Sequence, residues 1–168
     1  MDRKLISWSE LKNLLDYDPS TGVFVWRVYS NGRAPVGSIA GTLQKDKYWQ
    51  IGINKTLYKA HRLAWFYING AWPDREIDHI DGNPSNNRIS NLRCATRSEN
   101  MQNQRNPMST NGSGYLGVYV DKKGGAIAKI HVNGKQVYLG RFKNTEEAHS
   151  VYIKAKAELH PFTYTGTR

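Results

Sequence analysis

Residues 76–104 read EIDHIDGNPSNNRISNLRCATRSENMQNQ, and six of them are asparagine. Asparagine is usually a turn residue, because its short amide bonds readily to nearby backbone. Here the turn-formers crowd around a single Asp-His pair, Asp78-His79. In an extended segment, IDHID puts Ile77, His79 and Asp81 on one side and Asp78 and Ile80 on the other. A polar edge strand would account for that much. The residues downstream ask for more. NPSNNRISN is an asparagine-rich excursion, LRCAT is a short strand, and TRSENMQNQ opens with a helix cap at Thr96 or Ser98. The order strand, loop, strand, helix can bring Asn100 back against Asp78 and His79.

Those residue types suit cleavage of a phosphodiester. A hard cation such as magnesium prefers oxygen ligands, and an Asp carboxylate with an Asn amide oxygen supplies two. Other positions then stay open to water, a phosphate oxygen and the leaving oxygen. A neutral imidazole takes a proton from the attacking water, provided a neighbouring group holds it in one orientation.

The whole chain agrees with a polyanionic partner. Its 168 residues carry a net charge of +10, with pI about 9.7. Residues 1–108 hold 15 basic against 10 acidic side chains and the remainder 9 against 4, so each part is +5 and the charge is not a tail. Ten Tyr and five Trp point to small cores built on aromatic rings. The one cysteine, Cys94, excludes an internal disulfide and a multi-Cys zinc site, and in LRCAT it reads as a packed thiol. No apolar run reaches transmembrane length, MDRKLISWSE is not a signal peptide, and no membrane partner is expected.

SWSELKNLLDY reads as a short helix opened by a Ser7–Glu10 capping box, and DPSTG as a turn. VFVWRVY, SIAGTL, YWQIGI and TLYKAH alternate as short antiparallel strands. HRLAWFYING is helical, with Gly70 as its stop. After a polar stretch at 101–114, YLGVYV, AIAKIHV and QVYLGRF alternate as three strands, and NG marks a tight hairpin. NTEEAHSVYIKAKAELH is a helix capped by Asn144 or Thr145.

IDHIDGNPSNNRISNLRCATRSEN, residues 77–100, resembles the hallmark of HNH nucleases, and most closely their phage and intron-encoded homing branch. The resemblance implies a ββα-metal fold with Asp78 as a metal ligand and His79 as the general base. It makes Asn91 the residue that orients the base and Asn100 the second ligand. Asn100 stands where many relatives have a histidine, and its harder oxygen favours Mg²⁺ or Mn²⁺ over zinc or nickel. Asn83, Asn86 and Asn87 are read as turn scaffolding, and His61, in the HRLAW segment the family shares, as structural support. Arg88, Arg93 and Arg97 either clamp phosphates or stand solvated.

Residues 117–155, GVYVDKKGGAIAKIHVNGKQVYLGRFKNTEEAHSVYIKA, resemble the plant ethylene-response-factor (APETALA-type) DNA-binding domain. That family lays a three-stranded sheet in the major groove with a helix behind it. The resemblance makes Tyr119, Lys129, His131 and Arg141 candidate readers, with Lys122, Lys123 and Lys135 at turns meeting phosphates. Ala126 departs from the pattern, which carries an aromatic there, and one packing or sugar contact is expected to be missing.

The expectation is therefore an α+β chain. Residues 1–60 form a β-rich DNA-contacting region, 61–105 the ββα-metal (HNH, His-Me finger) nuclease core, 106–114 a linker, and 115–168 a DNA-binding domain of three strands plus helix. The expected activity is site-specific, metal-dependent cleavage of double-stranded DNA to a 3′-hydroxyl and a 5′-phosphate. A single such site fits a nickase acting as a monomer on DNA, in the cytoplasm of a bacterial host if the gene belongs to a phage. The alternative is a sequence-specific DNA-binding regulator that keeps the fold without cleavage.

Overall fold

Helix α1 (Trp8–Leu14) starts where Ser7 and Glu10 exchange side-chain to backbone bonds, and it buries Leu11. The chain was described over residues 5–29 and 34–163 in a computed structural model. Strands β1 (Leu15–Asp18) and β2 (Val23–Trp26) form a hairpin with Leu15 opposite Trp26 and Asp18 opposite Val23. The connecting turn is tied by the Asp18 carboxylate, which accepts from Ser20 N, Ser20 Oγ and Thr21 Oγ1 at 2.7–2.9 Å.

A second antiparallel sheet runs in the order β3 (Thr42–Leu43), β4 (Trp49–Ile53), β5 (Thr56–Lys59). Helix α2 (Ala60–Asn69) follows directly and stops at Gly70, whose φ of 72° is the left-handed cap a side chain resists. The third sheet is β6 (Glu76–His79) against β7 (Leu92–Ala95), with one 3₁₀ turn, Ile89–Asn91, between them.

These pieces share one core. Leu11, Leu15, Phe24, Ile51, Leu63, Phe66, Ile77 and Leu92 belong to a single buried cluster. The expected boundary between residues 60 and 61 is therefore not a break in packing. The hairpin and sheet of residues 1–60 contribute Leu15, Phe24, Ile51 and Ile53 to the same core as Ile77 of β6 and Leu92 of β7. Neither short hairpin could bury enough surface alone.

The chain divides instead into Met1–Ala95 and Thr96–Arg168. The second unit begins with α3 (Arg97–Gln102), capped by a Thr96–Glu99 capping box. Strands β8 (Val118–Val120), β9 (Ala126–Val132) and β10 (Lys135–Phe142) then pair antiparallel in the order β10-β9-β8. Helix α4 (Thr145–Leu159), capped by Asn144, packs Ala148 and Tyr152 on Val118, Ala128 and Ile130. Ala126 is buried in that core, so its missing ring is a packing substitution and not a lost contact on the outer face. Gly117 lets the Tyr152 ring lie on the backbone, where a Cβ would stand 2.0 Å from Cδ2.

The stretch expected as a linker is only partly one. Asn111 Nδ2 donates to Tyr115 O at 3.0 Å, and Ser113 Oγ donates to Val118 O at 2.8 Å, which ties residues 111–113 to the start of the sheet. Buried Lys156 donates to the Gln104 carbonyl, fixing α4 to the chain just after α3. Strand β10 carries a bulge. Tyr138 pairs with Lys129, but Gly140 pairs with Ala128, so Leu139 is the extra residue.

Candidate active site

Strand β6 is covered on both sides. Ile77, Asp78 and His79 are all buried, with Asp78 opposite Arg93 and His79 opposite Leu92. A polar edge strand would leave one side wet. Arg93 meets Asp78 with two nitrogens, Nε at 2.9 Å and Nη2 at 2.7 Å, and both land on the same carboxylate oxygen, Oδ2. The pair is well removed from water, with side-chain exposures of 24% for Arg93 and 7% for Asp78. Arg93, one of three arginines expected near phosphates, is thus a partner of the proposed metal ligand.

His79 is held from two directions. Its Nε2 lies 3.1 Å from Oδ1 of Asn87. An amide oxygen has no hydrogen to give, so Nε2 carries the proton and Nδ1 the lone pair. The ring also meets His61 edge-on, with centroids 5.0 Å apart, and Tyr48 at 5.8 Å. Burial pushes the His79 pKa down, against opposing pulls from Asn87, Asp81 and Asp78, so the imidazole is neutral near pH 7. Burial, helped by His79, Arg62 and Lys59, takes His61 further down, to about 3. Two adjacent neutral imidazoles avoid the repulsion that two charged ones would suffer.

The asparagines sort differently from the sequence reading. Asn91, expected to orient the base, makes no bond to His79. Its Oδ1 accepts from Asp81 N at 3.0 Å, and its Nδ2 donates to Asp81 Oδ1 at 2.9 Å and to Asn86 O at 2.8 Å. Its backbone carbonyl accepts from Ile80 N. Asn91 is therefore the latch that closes the loop between the strands, and the amide on His79 is that of Asn87. The physical reason is position. Asn91 ends the 3₁₀ turn at the root of the loop, whereas buried Asn87 lies at mid-loop and points inward. Alternation rules do not reach into an irregular loop, so only the count of asparagines hinted at Asn87. Asn83 and Asn86 do serve as turn scaffolding. Asn83 N and Asn86 Nδ2 donate to the Asp81 carboxylate at 2.8 and 2.7 Å. Burial works against ionisation of Asp81, but bonds from Asn83, Asn86 and Asn91 hold its carboxyl below the usual range.

Arg88 is exposed, yet its Nε donates to Ser20 O at 2.6 Å and its Nη1 to Asn86 Oδ1 at 3.1 Å. Arg97 stands exposed at the first position of α3, and Asn100 lies further along the same helix, in the second unit. The family expectation of a divalent cation fits the donor types. Asp78 and Asn100 both offer oxygen, the donor a hard cation takes, and Arg93 marks Asp78 as a carboxylate that sits beside positive charge. Among the described residues, no three His, Cys, Asp or Glu side chains come together, so a multi-histidine or multi-cysteine cage is not formed by them.

In the second unit, one face of the sheet gathers Tyr119, Lys129, His131 and Arg141, the four expected readers. Tyr119 and Arg141 both lie opposite Ile127 on β9, and Lys129 and His131 share that side of the strand. Lys129 Nζ is 5.9 Å from the Tyr119 ring centroid. Arg141 Nε is fixed 2.6 Å from Asp121 Oδ2, its guanidinium over Gly125, where a Cβ would meet Nη2 at 2.5 Å. Exposed Tyr138 and Gln136 join this face, and the sequence reading missed them. Strict alternation counted back from Arg141 puts Tyr138 on the opposite side; the bulge at Leu139 reverses that. Lys122, Lys123 and Lys135 are exposed at the two turns.

The buried Asp78-His79 pair on β6 lies within residues 58–102, the stretch that matches the HNH endonuclease family model, and this chain belongs to that family. Over 111 residues the chain is 44% identical to Protein 3.8 of Escherichia phage T7, which spans 63% of this chain and 90% of that protein. It is 37% identical over 67 residues to the DNA endonuclease I-HmuI of Bacillus phage SP01, which is 37% of this chain and 38% of that one. A solved structure of DNA binding and cleavage by the HNH homing endonuclease I-HmuI aligns with a TM-score of 0.44 at 25% identity, over 61% of this chain and 57% of its own. Among the described residues, no helix is long and apolar enough to cross a membrane.

Proposed function

We propose that the chain is a site-specific DNA endonuclease of the homing type that hydrolyses a phosphodiester to a 3′-hydroxyl and a 5′-phosphate. The observation that carries this reading is the His79 imidazole, buried, neutral and bonded through Nε2 to Asn87, beside the Asp78 carboxylate. His79 Nδ1 takes the proton from the attacking water, and Asn87 keeps the ring from turning as it charges. Asp78 would hold Mg²⁺ or Mn²⁺ through its carboxylate, and Asn100, the second ligand the resemblance implies, carries the same hard oxygen donor. When bound, that ion supplies charge stabilisation for the phosphate and the departing oxygen. Arg88 and Arg93 lend positive charge around the loop, and Arg97 carries a further positive charge on α3.

Site choice belongs to the second unit. Tyr119, Lys129, His131 and Arg141 face duplex DNA in the manner of an ethylene-response-factor domain, with Lys122, Lys123 and Lys135 on phosphates. One such site cuts one strand per event, so the protein works as a monomeric nickase in the cytoplasm of the host cell.

The test is conversion of supercoiled plasmid or phage DNA to open circles with Mg²⁺ and with EDTA. Wild type is expected to nick only with the metal, and His79→Ala to be slower by about 100-fold or more, the usual weight of a general base. A His79→Ala protein that nicks as fast as wild type defeats this mechanism. Tight specific binding with no nicking by wild type selects the regulator instead.

A further inference from the structure

We propose that the Asp18–Gly22 turn of the N-terminal hairpin belongs to the base-positioning apparatus, and that Tyr17 is a positioning residue acting on His79 through Asn87. The inference deepens the assignment of His79 as the base and rests on it.

The connection is short and continuous. Buried Tyr17 donates its hydroxyl to the Asn87 carbonyl at 2.7 Å, across 70 residues of sequence. The side-chain oxygen of the same Asn87 takes His79 Nε2. One residue thus has its backbone clamped by the hairpin and its amide on the imidazole. Burial, with the charge of Asp18, pushes the Tyr17 pKa up to about 12, so the phenol keeps its donor proton at every working pH.

The turn adds three further holds on the same stretch of loop. Arg88 Nε donates to Ser20 O at 2.6 Å, and Ile89 N donates to Pro19 O at 3.3 Å. Gly22, with φ of +78°, lies so close that a Cβ would stand 2.5 Å from both Arg88 N and Asn87 C. Residues 87–89 therefore rest on the turn backbone to backbone, an approach only glycine permits. On the far side, Ser85 Oγ donates to Lys47 O at 2.9 Å, in the turn between β3 and β4.

The loop needs this support. Its own bonds centre on Asp81 and Asn91 and reach as far as Asn86, and none of them holds Asn87 itself. Without the hairpin, Asn87 would hang at the middle of a long asparagine-rich excursion. A displacement of about 1 Å in a reacting group can cost on the order of a hundredfold in rate. A hairpin that merely completed the core would not need four contacts on residues 87–89.

Tyr17→Phe removes one oxygen. Tyr58→Phe is the control, because Tyr58 is another buried phenol whose oxygen bonds only backbone, accepting from Ile6 N at 3.1 Å away from the loop. With enzyme in excess over plasmid, Tyr17→Phe is expected to slow the saturated nicking rate about tenfold, with half-saturation moved less than about twofold. Tyr58→Phe should lower the Tm while leaving the saturated rate within about twofold. Added to Asn87→Ala, Tyr17→Phe should cost almost nothing more, since both lie on one path. A readout independent of activity is the ¹⁵N spectrum of His79, expected to show one Nε2–H tautomer in wild type and Tyr58→Phe and a mixture in Tyr17→Phe. If Tyr17→Phe does not fold, Asp18→Ala at an exposed position loosens the same turn and should lower the saturated rate in the same direction. A Tyr17→Phe or Asp18→Ala protein with wild-type rate and tautomer, or with only weaker DNA binding, overturns the proposal while His79→Ala stays inactive. Full activity in His79→Ala overturns the base assignment itself.

Discussion

Arg93→Ala isolates the cross-strand pair at the heart of the nuclease unit. Arg93 gives Asp78 two bonds of 2.9 and 2.7 Å, and the carboxylate is 7% exposed. Removing the guanidinium takes its positive charge from a carboxylate that cannot move into water. Breaking a buried pair from one side costs about 3–5 kcal/mol, and the 24% exposure of Arg93 argues for the lower end, about 3 kcal/mol. For a unit of this size each kcal/mol shifts the Tm by roughly 4–8 °C, so a drop of about 15 °C is expected in EDTA. If Asp78 holds the catalytic cation, saturating Mg²⁺ replaces the lost charge. A ligand at a hundred times its Kd returns about 2.7 kcal/mol, so most of the drop should be recovered in the variant. Replacing both members, Arg93→Met with Asp78→Leu, should destabilise less than Arg93→Ala alone and abolish the magnesium effect. The assay is thermal unfolding of the three proteins in EDTA and in Mg²⁺. A shift of less than about 3 °C for Arg93→Ala in EDTA would refute the reasoning about the pair. A full shift that magnesium leaves untouched would refute the ligand role of Asp78.

Three further outcomes follow from the geometry. Because the folded pKa of His61 lies near 3, below its ordinary 6.5, its contribution to stability is complete above about pH 6.5 and is lost as pH falls toward 3. Unfolding free energies from urea titrations between pH 6.5 and 4.5 should fall more steeply in wild type than in His61→Phe, the extra slope approaching about 1.4 kcal/mol per pH unit at the acid end; equal slopes would contradict it. Gly22→Ala should cost at least ~2 kcal/mol by thermal unfolding, since the residue is both at φ +78° and against the loop backbone. A neutral substitution there would mean the turn is not in contact. In DNA titrations at ~50 and ~200 mM salt, wild-type affinity should fall about a thousandfold or more. Lys135→Ala should reduce the slope by about one, and Tyr138→Ala should weaken binding at unchanged slope. A flat salt response would remove the phosphate contacts from the account.

The parts of the molecule that sequence made legible are those where chemistry is local. The Ser7–Glu10 and Thr96–Glu99 capping boxes, Asn144 as the α4 cap and Gly70 as the α2 stop each depend on a few adjacent residues. The strand-loop-strand order around Asp78 and His79 was legible because strands and turns differ so sharply in composition there. The roles of Asn87 and Asn91 were not, because which amide turns toward His79 is decided by Tyr17, Arg88 and Gly22, whose partners lie about 65–70 residues apart in the chain. The same long-range packing hid the unity of residues 1–95. A boundary at residue 60 looks natural along the chain, yet Phe24 and Ile51 share their core with Ile77 and Leu92.

The bulge in β10 has a bearing on how such a protein could change its target. Tyr138 and Arg141 stand three residues apart, and they share the outer face only because Leu139 is one residue too many. Deleting that residue would join the Tyr138–Lys129 and Gly140–Ala128 pairs into a regular ladder, so Tyr138 and Arg141 would both keep the outer face while the local bend and twist of the bulge were lost. A single in-frame codon loss at Leu139 would thus act on the target through the curvature of the strand and the spacing of these two side chains, with the outward set unchanged.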